Sequence, residues 1–302
     1  WTRWATIPLA VLQSYGMITL LRRSSYQILG SIDWLSYAAI IATITAGTIF
    51  LMWIGELITE KKVGNGISLL IFAGIIAGLP QTVQQMIATY DSSKLFMMIG
   101  FLIIAVLTVV GVIYISEGQR NIPVQYARQM HGGHSFGGST THLPLRVNMA
   151  GVIPIIFAVS VILFPSMIAQ FFVTSKIAWL ASASTWIIGI MQNQLIYGII
   201  YFVFVVAFTY FYTEVVFHPE QVAENLQKQG GFIPGIRPGQ QTSRYLANVT
   251  HKITLAGALF LGVIAILPLV MKSATGMQSL AVGGTSLLIV VSVVIESVKQ
   301  IE

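Results

Sequence analysis

The stretch GNGISLLIFAGIIAGLP, residues 64–80, decides the fold because it is apolar, rich in glycine and partly repeated near the end of the chain. Its core, G-x-S-L-L-I at residues 66–71, recurs at residues 284–289 and aligns Ile71 with Ile289. A match this short in a leucine-rich chain carries little weight alone. Its value depends on the directions in which the two copies run.

The composition predicts a membrane protein. The chain has 302 residues, of which 55% are hydrophobic and 9% charged, and its mean hydropathy is +0.80. A soluble domain carries roughly a quarter charged residues. The absence of cysteine excludes disulfides, thiolate catalysis and cysteine-ligated metals. The chain begins at Trp1 and shows no signal-peptide pattern, so we expect that it was processed or is part of a longer chain.

Apolar segments of sufficient length predict the membrane spans. A helix needs about 20 mostly apolar residues to cross the hydrocarbon core. Lipid offers no hydrogen-bond partner to the backbone, so each spanning segment must be a helix or a barrel strand. Apolar and polar residues do not strictly alternate along these segments, which favours helices. We expect eight spanning helices, at residues 5–21, 35–55, 67–87, 95–116, 149–173, 195–216, 253–271 and 280–295.

The distribution of positive charge predicts the orientation. Eleven Lys and Arg residues lie in one set of connections and ends, and five lie in the other. The richer set is expected to be cytoplasmic, with both ends of the chain inside. The third span then starts inside and the eighth starts outside, so the two G-x-S-L-L-I copies are antiparallel. This is the form of an inverted repeat of five helices, and it predicts a ten-helix parent whose first two helices precede Trp1.

The predicted organisation is two halves with two long cytoplasmic connections. Residues 1–94 hold three spans, and residues 95–302 hold five. The connections are residues 117–148, expected to be a polar loop between helices and flexible at residues 133–137, and residues 217–251. In the second connection, residues 219–228 predict a short helix started by proline. Residues 230–239 predict a rigid, turn-rich tip.

Catalytic and metal sites are not predicted. GHSFG at residues 133–137 matches G-x-S-x-G, but that motif needs a strand-turn-helix setting and an acid to orient a histidine. Both aspartates of the chain are predicted on the opposite side of the membrane. His131, His134 and His142 are loosely spaced with no acid close to them. We therefore predict no enzymatic activity, no metal and no cofactor.

Two other functional classes stay open. A secondary transporter with an inverted repeat predicts an ion or solute site at the membrane midplane. An intramembrane enzyme predicts a nucleophile facing an acid or base within the spans. Charged residues in mid-span usually mark such paths. The glutamates at positions 56, 117, 214 and 296 lie near predicted cytoplasmic ends, so no central carboxylate is available.

Four separated segments resemble the SecY family, the channel subunits of the bacterial protein translocase. The similarity covers the whole chain, from the family's third helix to its tenth. It implies an all-α membrane fold, a ten-helix inverted-repeat channel of which eight helices are present here. The segments are TEKKVGNGISLLIFAGIIAGLP (59–80), STTHLPLRVNMAGVIPIIFA (139–158), GGFIPGIRPG (230–239) and GGTSLLIVV (283–291).

The resemblance implies a pore closed by apolar side chains. In this family a ring of such side chains forms the waist of an hourglass pore. The matching positions are Ile71, Ile75, Ile156 and Ile289. Branched aliphatic side chains can gate by dewetting, which opposes ion flow. They impose no hydrogen-bonding pattern, so any unfolded polypeptide can pass. A lone isoleucine in a spanning helix otherwise indicates packing or lipid contact.

The resemblance also implies a lateral gate and a docking surface. In the family, the fifth and sixth predicted spans form one half of this gate, and the first span and the family's second helix form the other half. Signal sequences leave the pore there, and the residues carried over are Gln13, Asn148 and Pro154. Proline removes a helical hydrogen bond and bends the axis. The cytoplasmic loops resemble the docking site for the motor ATPase SecA and for the ribosome. The residues carried over there are Arg237, Pro234, Gly235, Pro238, Gly239, Arg120 and Arg128.

The implied setting is the bacterial plasma membrane. The expected partners are the small membrane subunits SecE and SecG, signal peptides, nascent or unfolded polypeptides and membrane lipid, besides SecA and the ribosome. The stretch His131–His134 departs from many relatives, which are richer in Lys and Arg there. Docking on rRNA phosphate depends on such charge, so the resemblance predicts ribosome docking less firmly than motor docking.

Overall fold

The described chain is mostly helical, with a three-stranded sheet and a separate two-stranded ribbon formed by its two long connections. The computed structural model describes residues 2–23, 33–62, 64–88, 95–126, 129–131, 134–136, 140–173, 177–275 and 283–301. The helices in these ranges are α1 (Thr2–Arg23), α2 (Trp34–Glu60), α3 (Gly66–Ala88), α4 (Leu95–Glu117), α5 (Ile153–Phe172), α6 (Ala178–Gln192), α7 (Gln194–Val216), α8 (Pro219–Lys228), α9 (Gln240–Thr275) and α10 (Gly283–Ile301). The strands are β1 (Gln119–Tyr126), β2 (Gln129–His131), β3 (His134–Phe136), β4 (Thr140–Arg146) and β5 (Gly231–Phe232).

Several helices are apolar enough for a membrane. Four stretches among the described residues have the length and composition to cross one: Trp34–Glu60, Ile153–Phe172, Gln194–Lys228 and Gln240–Met271. Two shorter apolar stretches are Gly66–Gln81 and Leu102–Glu117. The expected all-α membrane fold is confirmed in a coarser form, as a mostly helical chain with four helices able to cross a membrane, and its small sheets depart from the all-α expectation. The count of eight spans stays a prediction.

The deciding stretch, residues 64–80, forms the turn between α2 and α3 and most of α3. Gly64 has φ +150°, a backbone conformation that a side chain would disfavour. The side-chain oxygen of Asn65 accepts hydrogen bonds from the backbone N–H groups of Ile67 (3.1 Å) and Ser68 (3.2 Å). Asn65 therefore caps α3 and satisfies two of its free N-terminal donors.

Two glycines and the hydroxyl of Thr59 fix the approach of α2 to α3. The hydroxyl of Thr59 donates to the carbonyl of Gly55 (2.9 Å) and accepts from the N–H of Gly66 (2.9 Å). A Cβ added at Gly66 would overlap the backbone carbonyl of Gly55. The two helices can approach this closely because residue 66 is glycine; a Cβ added at Gly55 would lie 3.3 Å from the side chain of Leu70.

The first long connection contains paired strands, where the sequence predicted a polar loop. β1 and β4 form an antiparallel pair that runs from Gln119 opposite Arg146 to Gln125 opposite Thr140. β5 pairs with the other edge of β1, giving the strand order β4-β1-β5. β2 and β3 form a separate antiparallel ribbon in which His131 lies opposite His134.

The second connection contains the predicted short helix and part of a long one. The helix predicted at residues 219–228 is confirmed as α8. α9 is 36 residues long and begins at Gln240, so it starts within the predicted connection, whose end at residue 251 stays a prediction. We call β1, β4 and residues 219–253, which include α8, β5 and the start of α9, the platform. Its buried core consists of Ile122, Val124, Leu145, Leu226, Ile233, Leu246 and Val249.

The fifth predicted span begins later than expected. α5 starts at Ile153 rather than at residue 149, because the chain turns first and Gly151 there has φ +63°. Pro154 thus lies in the first helical turn, where proline's missing N–H removes no helical hydrogen bond. The expected bend at Pro154 is wrong, whereas Pro165 does lie inside the helix.

Two compact units divide the described chain. One comprises Trp1–Val83, Ser160–Tyr197 and Val293–Glu302, and the other comprises Gln84–Val159 and Gly198–Ser292. The platform lies entirely within the second unit. The boundary expected at residue 94 stays a prediction.

Candidate functional site

The four isoleucines expected in the pore lie on three helices. Ile71 and Ile75 are one turn apart on α3 and therefore share one of its faces. Ile156 lies in the first turns of α5, and Ile289 lies in the first half of α10. All four side chains are half-buried, which suits residues that are packed on one side only. The ring that they are expected to form stays a prediction.

The helices expected to form the lateral gate are in contact within the first unit. The ring of Tyr15 on α1 stacks on Phe171 of α5, with the ring centroids 5.2 Å apart. A Cβ added at Gly16 would lie 3.3 Å from Phe171 and 3.7 Å from Met167. The second half of α5 therefore packs on α1 through aromatic and thioether groups. Gln13, the polar residue expected at the gate, is exposed on α1.

Asn148 lies between β4, which ends at Arg146, and α5, which begins at Ile153. Its side-chain amide donates to the carbonyl of Gly151 (3.2 Å), which holds the turn that starts α5. Its side-chain oxygen is buried and accepts no hydrogen bond from the described residues. A buried acceptor without a partner is costly, so this oxygen is positioned for a donor that the described chain does not supply.

A tight turn presents Arg237. The N–H of Ile236 donates to the carbonyl of Ile233 (3.0 Å), with Pro234 and Gly235 between them. Gly235 has φ +82°. Proline followed by a glycine of positive φ is the pattern of a type II turn. Ile233 is buried in the platform core, whereas Arg237 is exposed just beyond the turn.

The segment after Arg237 is tied to the start of α9. The carbonyl of Arg237 accepts a hydrogen bond from the hydroxyl of Thr242 (2.9 Å). The carbonyl of Gly239 accepts from the N–H of Ser243 (3.1 Å), which opens the helix. Gly239 has φ +96°, and Pro238 before it is exposed. The backbone on both sides of Arg237 is thus fixed while its guanidinium is left free to contact a partner.

Two further arginines are expected in docking, and a nearby ion pair lies on α8. Arg120 is exposed on β1, opposite Leu145 of β4. Arg128 lies outside the described residues. On α8, the ammonium of Lys228 lies 2.8 Å from the carboxylate of Glu224 and lowers the pKa of that carboxyl group below its usual value.

The strands of the platform are the part that the sequence reasoning missed. Alternation of buried and exposed residues along β1, with Ile122 and Val124 pointing inward, is the signal that predicts a strand. Pro123 hides this signal, because proline is rare within sheets. It is accommodated since β5 pairs only with Gln125 and Tyr126, which leaves that edge of β1 open at Pro123.

The histidines of the first connection have no shared site among the described residues. His142 is exposed on β4, opposite Pro123 of β1. The described chain contains no group of three or more His, Asp or Glu side chains that could hold a metal ion. The described histidines thus give no geometric support to a metal site.

Comparison with known proteins identifies the family. The SecY family model matches residues 1–298. The chain is 44% identical over 311 residues to the protein translocase subunit SecY of Bacillus subtilis, covering 100% of this chain and 71% of the relative. It is 40% identical over 305 residues to that of Haemophilus influenzae, covering 100% of this chain and 68% of the relative.

Solved structures share the fold. A structure described as "The structure of a protein conducting channel" matches with a TM-score of 0.67 at 17% identity, covering 99% of this chain and 71% of that one. A second, described as "The plug domain of the SecY protein stablizes the closed state of the translocation channel and maintains a membrane seal", matches with a TM-score of 0.56 at 16% identity, covering 96% of this chain and 80% of that one. The sequence matches, which span nearly the whole chain, show that this protein belongs to the SecY family.

Proposed function

We propose that the chain is a polypeptide-conducting channel subunit of a bacterial plasma membrane. It passes unfolded polypeptides across the membrane and releases apolar segments sideways into the lipid. The observation that carries this proposal is membership of the SecY family over residues 1–298, together with a fold like that of a protein conducting channel. No relative or structure reported above supports the transporter alternative.

The pore is proposed to close at a ring formed by Ile71, Ile75, Ile156 and Ile289. The helical positions of these residues support the proposal, because each isoleucine is half-buried rather than fully packed. The spacing of Ile71 and Ile75 lets α3 present two aliphatic groups in succession along one face. Such groups exclude water when they meet and give way to an extended chain. The channel does no chemistry of its own.

The side exit is proposed to lie between α1 and α5. The contact between Tyr15 and Phe171 supports this, because stacked aromatic groups can part and re-form without breaking strong hydrogen bonds. Gln13 and Asn148 supply polar groups near this exit. The unmatched side-chain oxygen of Asn148 would accept a donor from a passing segment or from a neighbouring helix.

The remaining features of the proposal concern topology and partners. The chain crosses the membrane eight times, with the platform on the cytoplasmic side. The platform docks the motor ATPase and the ribosome, chiefly through Arg237. Small membrane subunits of the translocase pack against the lipid-facing helices, which expose large side chains such as Leu102 and Leu107.

Substitutions at the ring test the channel. We expect that Ile71→Gly, Ile156→Gly and Ile289→Gly in the complete protein, with its partner subunits, each raise the ion conductance of reconstituted vesicles. Removing a branched side chain from the ring opens space for water. A matched control is Ile103→Gly on α4, where the side chain is 54% exposed and outside the proposed ring. Conductance unchanged by all three ring substitutions would refute the proposed seal.

A further inference from the structure

The helix α6 has no counterpart among the predicted spans. It covers Ala178–Gln192, 15 residues, and it follows α5 and precedes α7 in the chain. At 1.5 Å per residue its length is about 22 Å, which is less than the roughly 30 Å of the hydrocarbon core. α6 cannot span the membrane, yet it connects two helices that are apolar enough to do so.

One residue keeps α6 separate from α7. Asn193 has φ −72° and ψ 109°, an extended conformation that interrupts the helix. Its side-chain oxygen accepts from the N–H groups of Leu195 (3.1 Å) and Ile196 (3.3 Å), so Asn193 caps the start of α7. Without this break the two helices would continue as one. The capped break instead lets α6 take a different direction from α7.

One face of α6 exposes two tryptophans. Trp179 is 70% exposed and Trp186 is 69% exposed. Residues seven apart on a helix differ in direction by about 20°, so the two indoles lie nearly in line. Ser182 and Ala183 between them are also exposed. Ser184, on the opposite side of the helix, is buried.

The hydroxyl groups of Ser184 and Thr185 on α6 are hydrogen-bonded within the helix. The hydroxyl of Ser184 donates to the carbonyl of Leu180 (2.8 Å). The hydroxyl of Thr185 donates to the carbonyls of Ala181 (3.1 Å) and Ser182 (2.9 Å). The helix contains no Asp, Glu, Lys or Arg. It can therefore enter a partly apolar environment without leaving a charge there.

We propose that α6 is an interfacial helix that lies in the lipid headgroup region and anchors the α5–α7 connection to the bilayer through Trp179 and Trp186. Indole suits this location because its body is apolar and its N–H needs a polar partner. The occupant of the exposed face is the lipid surface itself. The absence of charge on the helix means that a neutral surface suffices. This inference rests on the proposed membrane placement of α5 and α7 and not on the channel activity.

A spin label at Ala183 tests this position without removing either tryptophan. The chain has no cysteine, so Ala183→Cys can be labelled alone in the full chain. The labelled protein, with its partner subunits, is placed in nanodiscs of phosphatidylcholine. Collisions of the label with lipid-soluble oxygen and with a water-soluble nickel chelate are measured by electron paramagnetic resonance. We expect oxygen collisions to exceed chelate collisions severalfold.

A label at Asn225→Cys, on an exposed position of α8, is the matched control and should show the opposite ratio. Adding Trp179→Ser and Trp186→Ser should lower the ratio at Ala183 towards that control. Trp53→Ser, at an exposed tryptophan of α2, should leave it unchanged.

Two results would overturn the proposal. A ratio at Ala183 equal to that at Asn225 would show that this face lies in water. Exclusion of both reagents would show that protein covers the face, either a second copy or a partner subunit. Vesicle conductance, which tests the ring, does not depend on either result, so failure of this inference is distinguishable from failure of the channel proposal.

Discussion

The platform and the lipid-facing helices differ in what holds them together. The platform buries seven apolar side chains in one core, with Leu246 fully covered. By contrast, α2 buries only Thr45 and Gly55 among its 27 residues. With the platform on the cytoplasmic side, as proposed, water surrounds it, so burying apolar area drives its folding. Lipid is as apolar as leucine, so burial gives little driving force to the helices. Their specific packing must come from close contacts and satisfied polar groups.

Glycines supply close contacts between helices, and several hydroxyl groups satisfy their donors within their own helix. The hydroxyls of Ser14, Thr43 and Thr108 each donate to a carbonyl one turn earlier in their own helix. These bonds leave no free donor in an apolar surrounding. Glycine at positions such as Gly66 lets backbones approach directly. The comparison therefore predicts that glycine substitutions damage the helices and that core truncations damage the platform.

The largest effect is expected from Gly66→Ala. A methyl group there would overlap the carbonyl of Gly55 and force α3 away from α2. It would also strain the hydrogen bond between the Gly66 N–H and the Thr59 hydroxyl. We expect a loss of stability of about 4 kcal/mol or more, in the range that marks a specific structural defect. Thermal unfolding in detergent, followed by gel filtration, measures it.

Gly47→Ala on α2 is the control for Gly66→Ala. No described atom lies within 4 Å of a Cβ added at Gly47, and alanine favours helix more than glycine does. This variant should be as stable as the parent or slightly more stable. If Gly66→Ala were tolerated as well as Gly47→Ala, close backbone approach would not explain the packing of α2 on α3.

The next effect is expected from a pair of leucine truncations. Leu246→Ala removes a fully buried side chain from the platform core and should cost about 2–5 kcal/mol. Leu107→Ala removes a side chain that is 64% exposed on α4, and should cost less than about 0.5 kcal/mol. The two costs differ because Leu246 is buried in the platform core, whereas Leu107 is exposed on a helix that faces lipid. The rate of proteolysis within residues 219–239 reports opening of the platform. Equal rates in the two variants would contradict the distinction drawn here.

The same distinction explains what the sequence could predict. Hydropathy reports contact with lipid directly, so α1 to α5, α7, α9 and α10 lie close to predicted spans. α8 was predictable because Pro219 marks its start. The proline and glycine pattern at residues 230–239 also predicted the turn before Arg237, since proline fixes its own φ and glycine accepts a positive φ.

Features set by tertiary contacts were not predictable in the same way. β1 ends at Tyr126 and β4 begins at Thr140, and their pairing depends on a shared core, while Pro123 hides the alternation along β1. α6 is short and lacks charge, so neither hydropathy nor capping signals marks it strongly. The bend expected at Pro154 failed because the start of α5 is set by the turn at Gly151. The meeting of four isoleucines in a ring is a property of several helices together, and it stays a prediction.

The smallest effect on stability, with a large effect on function, is expected from Arg237→Glu. The side chain is exposed and the structure gives its guanidinium no packing role, whereas the carbonyl of Arg237 bonds to Thr242 whatever the side chain. Substitution should therefore change stability by less than about 0.5 kcal/mol. If the platform docks a motor through this planar donor group, reversing its charge should block motor-driven translocation while the channel still inserts into the membrane.

Arg237→Lys keeps the charge but loses the planar fork, so it should retain only part of the rate. Translocation of a secretory precursor into vesicles measures both variants, and a normal rate for Arg237→Glu would remove Arg237 from the docking surface.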